Sequence, residues 1–265
     1  MRGPRGLWGP LAAAWLVMAA TAPFAFPASP DWIVLFDGKT MAGWEDPRQK
    51  VPPGDAWTID DGCLKANRAP RITEDLFTRE LFRDFELMFE WRIAPGANSG
   101  VKYRIQDRVF LARHPVSRFE DLVNFSLENR PPARPDRGQE YVVGFEYQVL
   151  DNTRNSDARH GADHQAGALY DIVGPVRDVT RPVGQFNESR LVVKGNHVEH
   201  WLNGVKVVDT DLDSAEAAEH IAHRWGQGTP VTELLTKQPR KDCPISLQNH
   251  GGEAWFRNLK VRRLE

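Results

Sequence analysis

The chain has 265 residues, 41% of them hydrophobic, and a formal net charge of −2. That length suits one large all-β domain with ample material for a core. The near-neutral charge and the lack of a long basic run exclude the electrostatic footprint of a nucleic-acid-binding protein, so no nucleic-acid partner is expected.

Arg2 and Arg5 precede an apolar run over 11–20 and small residues over 19–28. This is the pattern of a secretory signal peptide, 1–28, with cleavage between 22 and 28. The run is short for a membrane span. The expectation is an exported protein, periplasmic or extracellular, with no integral span after cleavage and a single domain over 29–265. Cys63 and Cys243 are the two cysteines. An oxidising compartment would permit them to pair, and burial as free thiols is the alternative. Neither has the close-spaced companions of a zinc site.

Short β-type runs follow, over 32–36, 56–59, 63–66, 85–93, 100–105, 140–150, 190–194, 197–202, 205–209, 245–249 and 255–263. Turn signals separate them. Asp61-Gly62 and Asn203-Gly204 predict tight hairpins, because both pairs suit the positive φ of type I′ turns. Two segments interrupt the rhythm. The proline-bearing stretch 106–137 reads as a loop longer than a sandwich connection needs, and is expected to form a lid. The stretch 213–225 reads as a helix, with Asp213 and Glu216 at capping-box spacing.

Side chains alternate faces along a strand. Glu146 and Gln148 therefore share one face, opposite Phe145, Tyr147 and Val149. In 85–93, Glu90 and Arg92 lie opposite a wholly apolar face. Near the C-terminus, Ser246, Gln248 and His250 lie opposite Ile245, Leu247 and Asn249. Charged groups that interrupt an apolar strand need a partner or a use, and these three segments are expected to form one polar, sugar-binding surface. Cross-strand ion pairing is the competing reading for Glu90 and Arg92. His200, Tyr170 and Asp171 are further candidates for substrate contact, whereas Asp151 and Asn152 read as turn formers. The stretch His160-Gly161-Ala162-Asp163-His164 has metal-like spacing but reads as a solvated loop.

In chain order, Leu35-Phe36-Asp37-Gly38-Lys39-Thr40, Gly43-Trp44, Phe89-Glu90-Trp91-Arg92, Asn98-Ser99-Gly100, Glu146-Tyr147-Gln148-Val149-Leu150-Asp151, Gly167-Ala168-Leu169-Tyr170-Asp171, His200-Trp201-Leu202-Asn203-Gly204 and Leu247-Gln248-Asn249-His250-Gly251 form a set. This ordered set resembles the 3-keto-disaccharide hydrolase family from about residue 31 to the C-terminus. The resemblance implies a concanavalin A-like jelly-roll sandwich of two antiparallel sheets. It also implies action on glycosides already oxidised to a ketone at carbon 3, with functional coupling to a sugar 3-dehydrogenase. The long 106–137 stretch departs from the family pattern, so substrate preference transfers least.

A 3-keto group acidifies the hydrogen on carbon 2, so a base can trigger elimination of the carbon 1 substituent, and water can add to the enone. Glu146 is the expected base, because burial raises a carboxyl toward neutrality. His250 is the expected acid/base partner, and Arg92 the expected enolate stabiliser. Glu90, Gln148 and Gln248 are expected to contact substrate. A divalent metal, if one is used, would be held by Glu146 and His250. Two other readings stand beside this one: a lectin-like module without chemistry, and an ordinary glycoside hydrolase. The latter is disfavoured because Glu146 and Asp151, five residues apart, fall on opposite strand faces.

Overall fold

A computed structural model describes residues 31–68, 75–111, 122–125, 139–237 and 241–265. In chain order the strands and helices are β1 (Ile33–Val34), β2 (Trp44–Glu45), β3 (Trp57–Asp60), β4 (Cys63–Ala66), β5 (Leu76–Thr78), β6 (Phe85–Ile93), β7 (Asn98–Leu111), β8 (Leu122–Phe125), β9 (Gln139–Leu150), β10 (Asn187–Lys194), β11 (His197–Leu202), β12 (Val205–Asp211), α1 (Ala215–Trp225), α2 (Pro230–Thr236), β13 (Ser246–Leu247) and β14 (Ala254–Arg263). The strands form two antiparallel sheets. The larger runs β12-β11-β10-β6-β14-β4-β3, with β1 on β14; the smaller runs β2-β5-β13-β7-β8, with β9 also paired to β7. The all-β sandwich expected from the sequence is the fold found.

The alternation that predicts the strands also builds the core. Phe85, Leu87, Phe89, Trp91 and Ile93 of β6 are all buried, and meet Val101 and Tyr103 of β7 and Tyr147 and Val149 of β9 in one apolar cluster. The Phe89 and Tyr147 rings meet edge to face at 5.4 Å, a geometry that adds to area burial. A polar thread crosses this interior: the Trp91 indole N–H donates to Ser189 Oγ at 2.9 Å, and Ser189 Oγ lies 2.9 Å from the Tyr147 hydroxyl. Both predicted hairpins form, with positive φ at Asp61, Gly62, Asn203 and Gly204.

Several expectations are corrected. Glu90 and Arg92 lie on β6 of the larger sheet, on its outer face, because their apolar neighbours fill the core. There Glu90 accepts from Arg257 Nε at 2.8 Å and Asn258 Nδ2 at 2.6 Å, and the Arg92 guanidinium stacks 4.4 Å over Trp255. This is the cross-strand pairing reading. His200, on β11, points inward and is fully buried; its Nδ1 faces the Gly167 carbonyl and its Nε2 the Tyr103 hydroxyl, each at 3.0 Å. It shares parity with Val198 and Leu202, and burial pushes its imidazole down to about 4, so it is a neutral core histidine rather than a substrate contact. The helix cap is Ser214, whose side chain accepts from the Ala217 N–H, not Asp213. A second helix, α2, starts with Pro230 behind the Thr229 cap. The stretch 106–137 is not all loop: β7 runs on to Leu111 and pairs with β8 and the start of β9. The rest of that stretch, and the 1–28 signal, lie outside the described residues. Cys63 and Cys243 are both free and buried. No helix among the described residues is long and apolar enough to cross a membrane.

Candidate functional site

The site is a grid on the outer face of the smaller sheet, where β13, β7 and β9 lie side by side. Register places Ser246 opposite Lys102, and Lys102 opposite Glu146. Two residues along, Gly100 pairs with Gln148, and the Gln248 N–H donates to the Gly100 carbonyl at 2.9 Å. Two further along, Asn98 and His250 line one cleft. Period-two alternation turns Ser246 and the β7 and β9 residues away from the core; β13 is Ser246–Leu247, shorter than the run expected over 245–249, and Gln248 and His250 follow it outside the strand. Gly100 is the centre of the grid. A Cβ there would lie 2.0 Å from Glu146 Oε1, so the glycine makes room for the carboxylate to lean across the sheet.

The walls come from the loop after β9. Asp151 closes the strand as a turn former: its carboxylate accepts from the Thr153 N–H and hydroxyl and from the Gly96 N–H. The chain then returns along the β9 edge, with Gly167 N–H bonded to the Gln148 carbonyl and Tyr170 N–H to the Glu146 carbonyl. That pairing sets Tyr170 and Asp171 beside Glu146. The Tyr170 hydroxyl donates to Asp157 Oδ2 at 3.0 Å. From α1, Arg224 lies 4.7 Å over the Tyr170 ring and puts its Nε 3.2 Å from Asp171 Oδ2. Glu146, Tyr141, Tyr170, Asp171 and Arg224 enclose a space with room for about one water molecule.

Lys102 is 2% exposed, and its Nζ lies 3.9 Å from Asp75 Oδ2, 4.0 Å from Glu146 Oε2 and 4.5 Å from the Tyr141 ring centre. Burial alone would lower its pKa, but the Asp75 and Glu146 carboxylates outweigh it and hold the ammonium above its ordinary value. Glu146 is 6% exposed. Desolvation raises its carboxyl to about 7 despite the opposing charges of Lys102 and Arg224. Burial likewise raises Asp75, against Lys102 and the Asn249 N–H that bonds it. His250 is exposed at the rim. Desolvation by the cleft wall, with help from the nearby Lys102 charge, lowers its imidazole against its own backbone hydrogen bond and the Asp157 and Asp75 carboxylates. The grid thus offers a buried cation between carboxylates, a carboxyl poised near neutrality and an imidazole at the mouth. Gln248 Oε1, Asn98 Oδ1 and Ser246 Oγ are buried and have no hydrogen-bond partner, which is unusual unless a ligand or water completes them.

The structure brings Glu146, Gln148, Gln248, His250, Tyr170 and Asp171 to this face, and leaves Glu90, Arg92 and His200 elsewhere. Sequence reasoning missed Lys102, Asp75, Asp157 and Arg224. Lys102 shares the parity of Gly100, a signal present in the sequence; the other three come from the residue just before β5, a 3-10 segment and a helix, where no alternation points to them. The His160–His164 stretch is only partly a solvated loop. His160 is exposed, but the His164 side chain is 14% exposed, 3.0 Å from Asp163 Oδ1 and edge-on to Tyr170 at 4.9 Å. Asp157, His160 and His164, and also Asp163, His164 and Asp171, place ligand atoms within 4.8 Å of one another. Among the described residues, neither Glu146 nor His250 belongs to such a three-ligand cluster. A third cluster, His197, Glu199 and Asp209, is already bridged by the Lys206 ammonium.

The fold is a β-sandwich with a polar face, and comparison with known proteins supports a carbohydrate-active hydrolase. Residues 31–262 match the model of the 3-keto-alpha-glucoside-1,2-lyase-like domain, and the chain belongs to that family. It is 32% identical over 252 residues to the 3-keto-disaccharide hydrolase of Bacteroides thetaiotaomicron, covering 88% of this chain and 79% of that protein. Two crystal structures of provisionally named glycosyl hydrolases from Parabacteroides distasonis share the fold. One has a TM-score of 0.64 at 22% identity, covering 89% of this chain and 95% of its own; the other has 0.60 at 23%, covering 88% and 99%.

Proposed function

We propose that this protein cleaves 3-keto-glycosides by elimination across carbons 1 and 2, followed by hydration. The observation that carries the proposal is the Ser246–Lys102–Glu146 row, which sets a near-neutral carboxyl beside a buried ammonium. Glu146, as carboxylate, takes the carbon 2 proton, and the C–H electrons form the carbon 2–carbon 3 double bond of an enolate. The Lys102 ammonium stabilises the enolate oxygen in a dry site, where a fixed charge acts strongly. Lys102 thereby takes the role expected of Arg92. The enolate collapses back to the ketone, its carbon 2–carbon 3 electrons form the carbon 1–carbon 2 double bond as the carbon 1–oxygen bond breaks, and His250 at the mouth, in its protonated form, gives a proton to the departing oxygen. Water then adds its hydroxyl to carbon 1 and its proton restores His250, while Glu146, whose carboxyl proton exchanges with solvent after the first step, protonates carbon 2. The sum is hydrolysis without a covalent intermediate on the protein.

The reading also takes 1–28 as an export signal, on sequence grounds, and needs an enzyme that oxidises the carbon 3 hydroxyl to supply substrate. The test is incubation with matched glucosides and their 3-keto forms in D2O, with and without chelator. Cleavage confined to the 3-keto forms, with deuterium entering carbon 2, is expected. Equal cleavage of the unoxidised glucosides, or release without label, would refute elimination, and binding without cleavage would favour the lectin-like reading.

A further inference from the structure

The groups of metal-ligating side chains beside the grid differ in what already neutralises them. In the His197, Glu199 and Asp209 group the Lys206 ammonium bridges both carboxylates. In the Asp163, His164 and Asp171 group the Arg224 guanidinium sits 3.2 Å from Asp171 Oδ2. Asp157, by contrast, makes no ion pair with a Lys or Arg among the described residues; its charged-group neighbour is His160. We propose that Asp157, His160 and His164 form a binding site for a divalent transition metal of the zinc class, with Asp163 holding one of the imidazoles in place.

Local backbone brings the ligands together. Asp157 opens a 3-10 turn that His160 caps, and side chains three apart eclipse on such a turn. His160 Nδ1 accordingly lies 3.2 Å from Asp157 Oδ1, close to the roughly 3.3 Å between two ligands of a tetrahedral ion with bonds of about 2.0–2.1 Å. His164 ends a second 3-10 turn and sets its ring edge-on to that of His160, with centroids 5.5 Å apart. One of its nitrogens lies within 4.8 Å of the other two ligand atoms, a span that side-chain rotation draws in. Asp163 Oδ1 is 3.0 Å from His164 Nδ1. A carboxylate there accepts the ring N–H and keeps the other nitrogen basic, as carboxylates do behind metal-ligating histidines. Gly161 permits this fold-back, because a Cβ there would lie 2.4 Å from Asp163 Oδ1.

A second observation points to the same spot. Asn98 is 7% exposed, its amide nitrogen lies 3.5 Å from Asp157 Oδ2, and its carbonyl oxygen has no partner. A buried acceptor without a partner calls for a further donor, and a water carried in the ion's open position supplies one. The turn is fixed to the sheet in advance: Asn155 accepts from the Asp157 N–H and donates to the Gly96 carbonyl, and Ala158 is buried. The His160 side chain is 67% exposed, which gives the ion a way in. Two imidazoles with one carboxylate favour zinc, nickel or copper over magnesium and calcium, which take oxygen ligands. Because the Tyr170 hydroxyl donates to Asp157 Oδ2, the ion fastens the loop after β9 to the wall of the site, and its role is structural, independent of the elimination reading.

The test is calorimetric titration of zinc chloride into the untagged chain after chelator treatment, with thermal melting in parallel. A single zinc per chain is expected, and zinc at about a hundred times its Kd should raise the melting temperature by about 5 °C or more. His160→Ala and His164→Ala should each weaken binding about 100-fold and Asp163→Asn about ten-fold, whereas His197→Ala, at the cluster bridged by Lys206, should bind zinc as wild type does. His160 is exposed, so its replacement keeps the fold and the comparison holds even where His164→Ala melts early. Absence of zinc binding, binding that ignores both His160→Ala and His164→Ala, loss of binding in His197→Ala, or equal stabilisation by magnesium or calcium overturns the site. The readout is binding, so it is decided whether or not a 3-keto-glycoside is cleaved.

Discussion

Replacing Glu146 by Gln should inactivate the protein and stabilise it, and the second effect depends on pH in a defined direction. Burial lifts this carboxyl from its ordinary 4.5 to about 7, with the attraction of Lys102 already included. Between those values the unfolded chain has lost the proton and the folded chain keeps it. The folded state binds more protons, so stability falls as pH rises through the window, and the penalty is complete above about pH 7. The full difference corresponds to about 3 kcal/mol, of which more than about 2 kcal/mol falls between pH 5 and pH 8. Gln cannot ionise. The stability of Glu146→Gln relative to wild type should therefore rise by about 2 kcal/mol from pH 5 to pH 8, measured by urea unfolding with tryptophan fluorescence. Turnover of a 3-keto-glycoside should fall about 10²–10⁴-fold at every pH, the usual contribution of a positioned base. Wild-type kcat/KM should decline below about pH 7 as the base takes up a proton. A stability difference that does not change with pH would refute the buried, near-neutral carboxyl, and with it the choice of this residue as base.

Gly100→Ala should leave the backbone able to pair but expel the Glu146 carboxylate from its place, since the added carbon would lie 2.0 Å from Oε1; a loss of kcat well beyond any change in melting temperature is expected, and unchanged kcat would rule out the leaning geometry. Gln248→Met removes a buried acceptor that has no partner, so stability should hold or rise by about 1 kcal/mol while KM increases; denaturant titration and substrate kinetics on one preparation check both halves. His200 should make the fold acid-sensitive: its folded pKa of about 4 lies below the ordinary 6.5, so stability is present above pH 6.5 and is lost, by about 3 kcal/mol, as pH falls toward 4. Unfolding of His200→Gln should show a flatter pH profile there, and an identical acid profile would exclude the assignment. Arg92→Ala should leave kcat and KM unchanged, because its guanidinium lies over Trp255 on the other sheet.

Local geometry made much of this protein legible from its residues. The two-residue period of a strand is imposed by the backbone, so the runs over 63–66, 85–93 and 197–202 could be placed to the residue, and the common face of Glu146 with Gln148 followed from parity alone. The Asp-Gly and Asn-Gly hairpins were legible for the same reason: few residue pairs accept two consecutive positive φ values. Parity says which residues share a face but not which sheet the strand joins. Glu90 and Glu146 sit in equally alternating strands; only pairing of β6 with β10 and β14, and of β9 with β7, sends one to a surface ion pair and the other to the grid. His200 turned inward with Val198 and Leu202, and no local rule announces that a core will hold an imidazole between a tyrosine hydroxyl and a carbonyl. Lys102 gains its character from Asp75 and Glu146, which lie 27 and 44 residues away in sequence. Such contacts arise from the free energy of long-range strand pairing and burial, summed over the whole sandwich. The sequence by itself therefore determined the strands, their turns and the facing of their side chains; the tertiary structure alone decided which faces met and which carboxyl became the buried one.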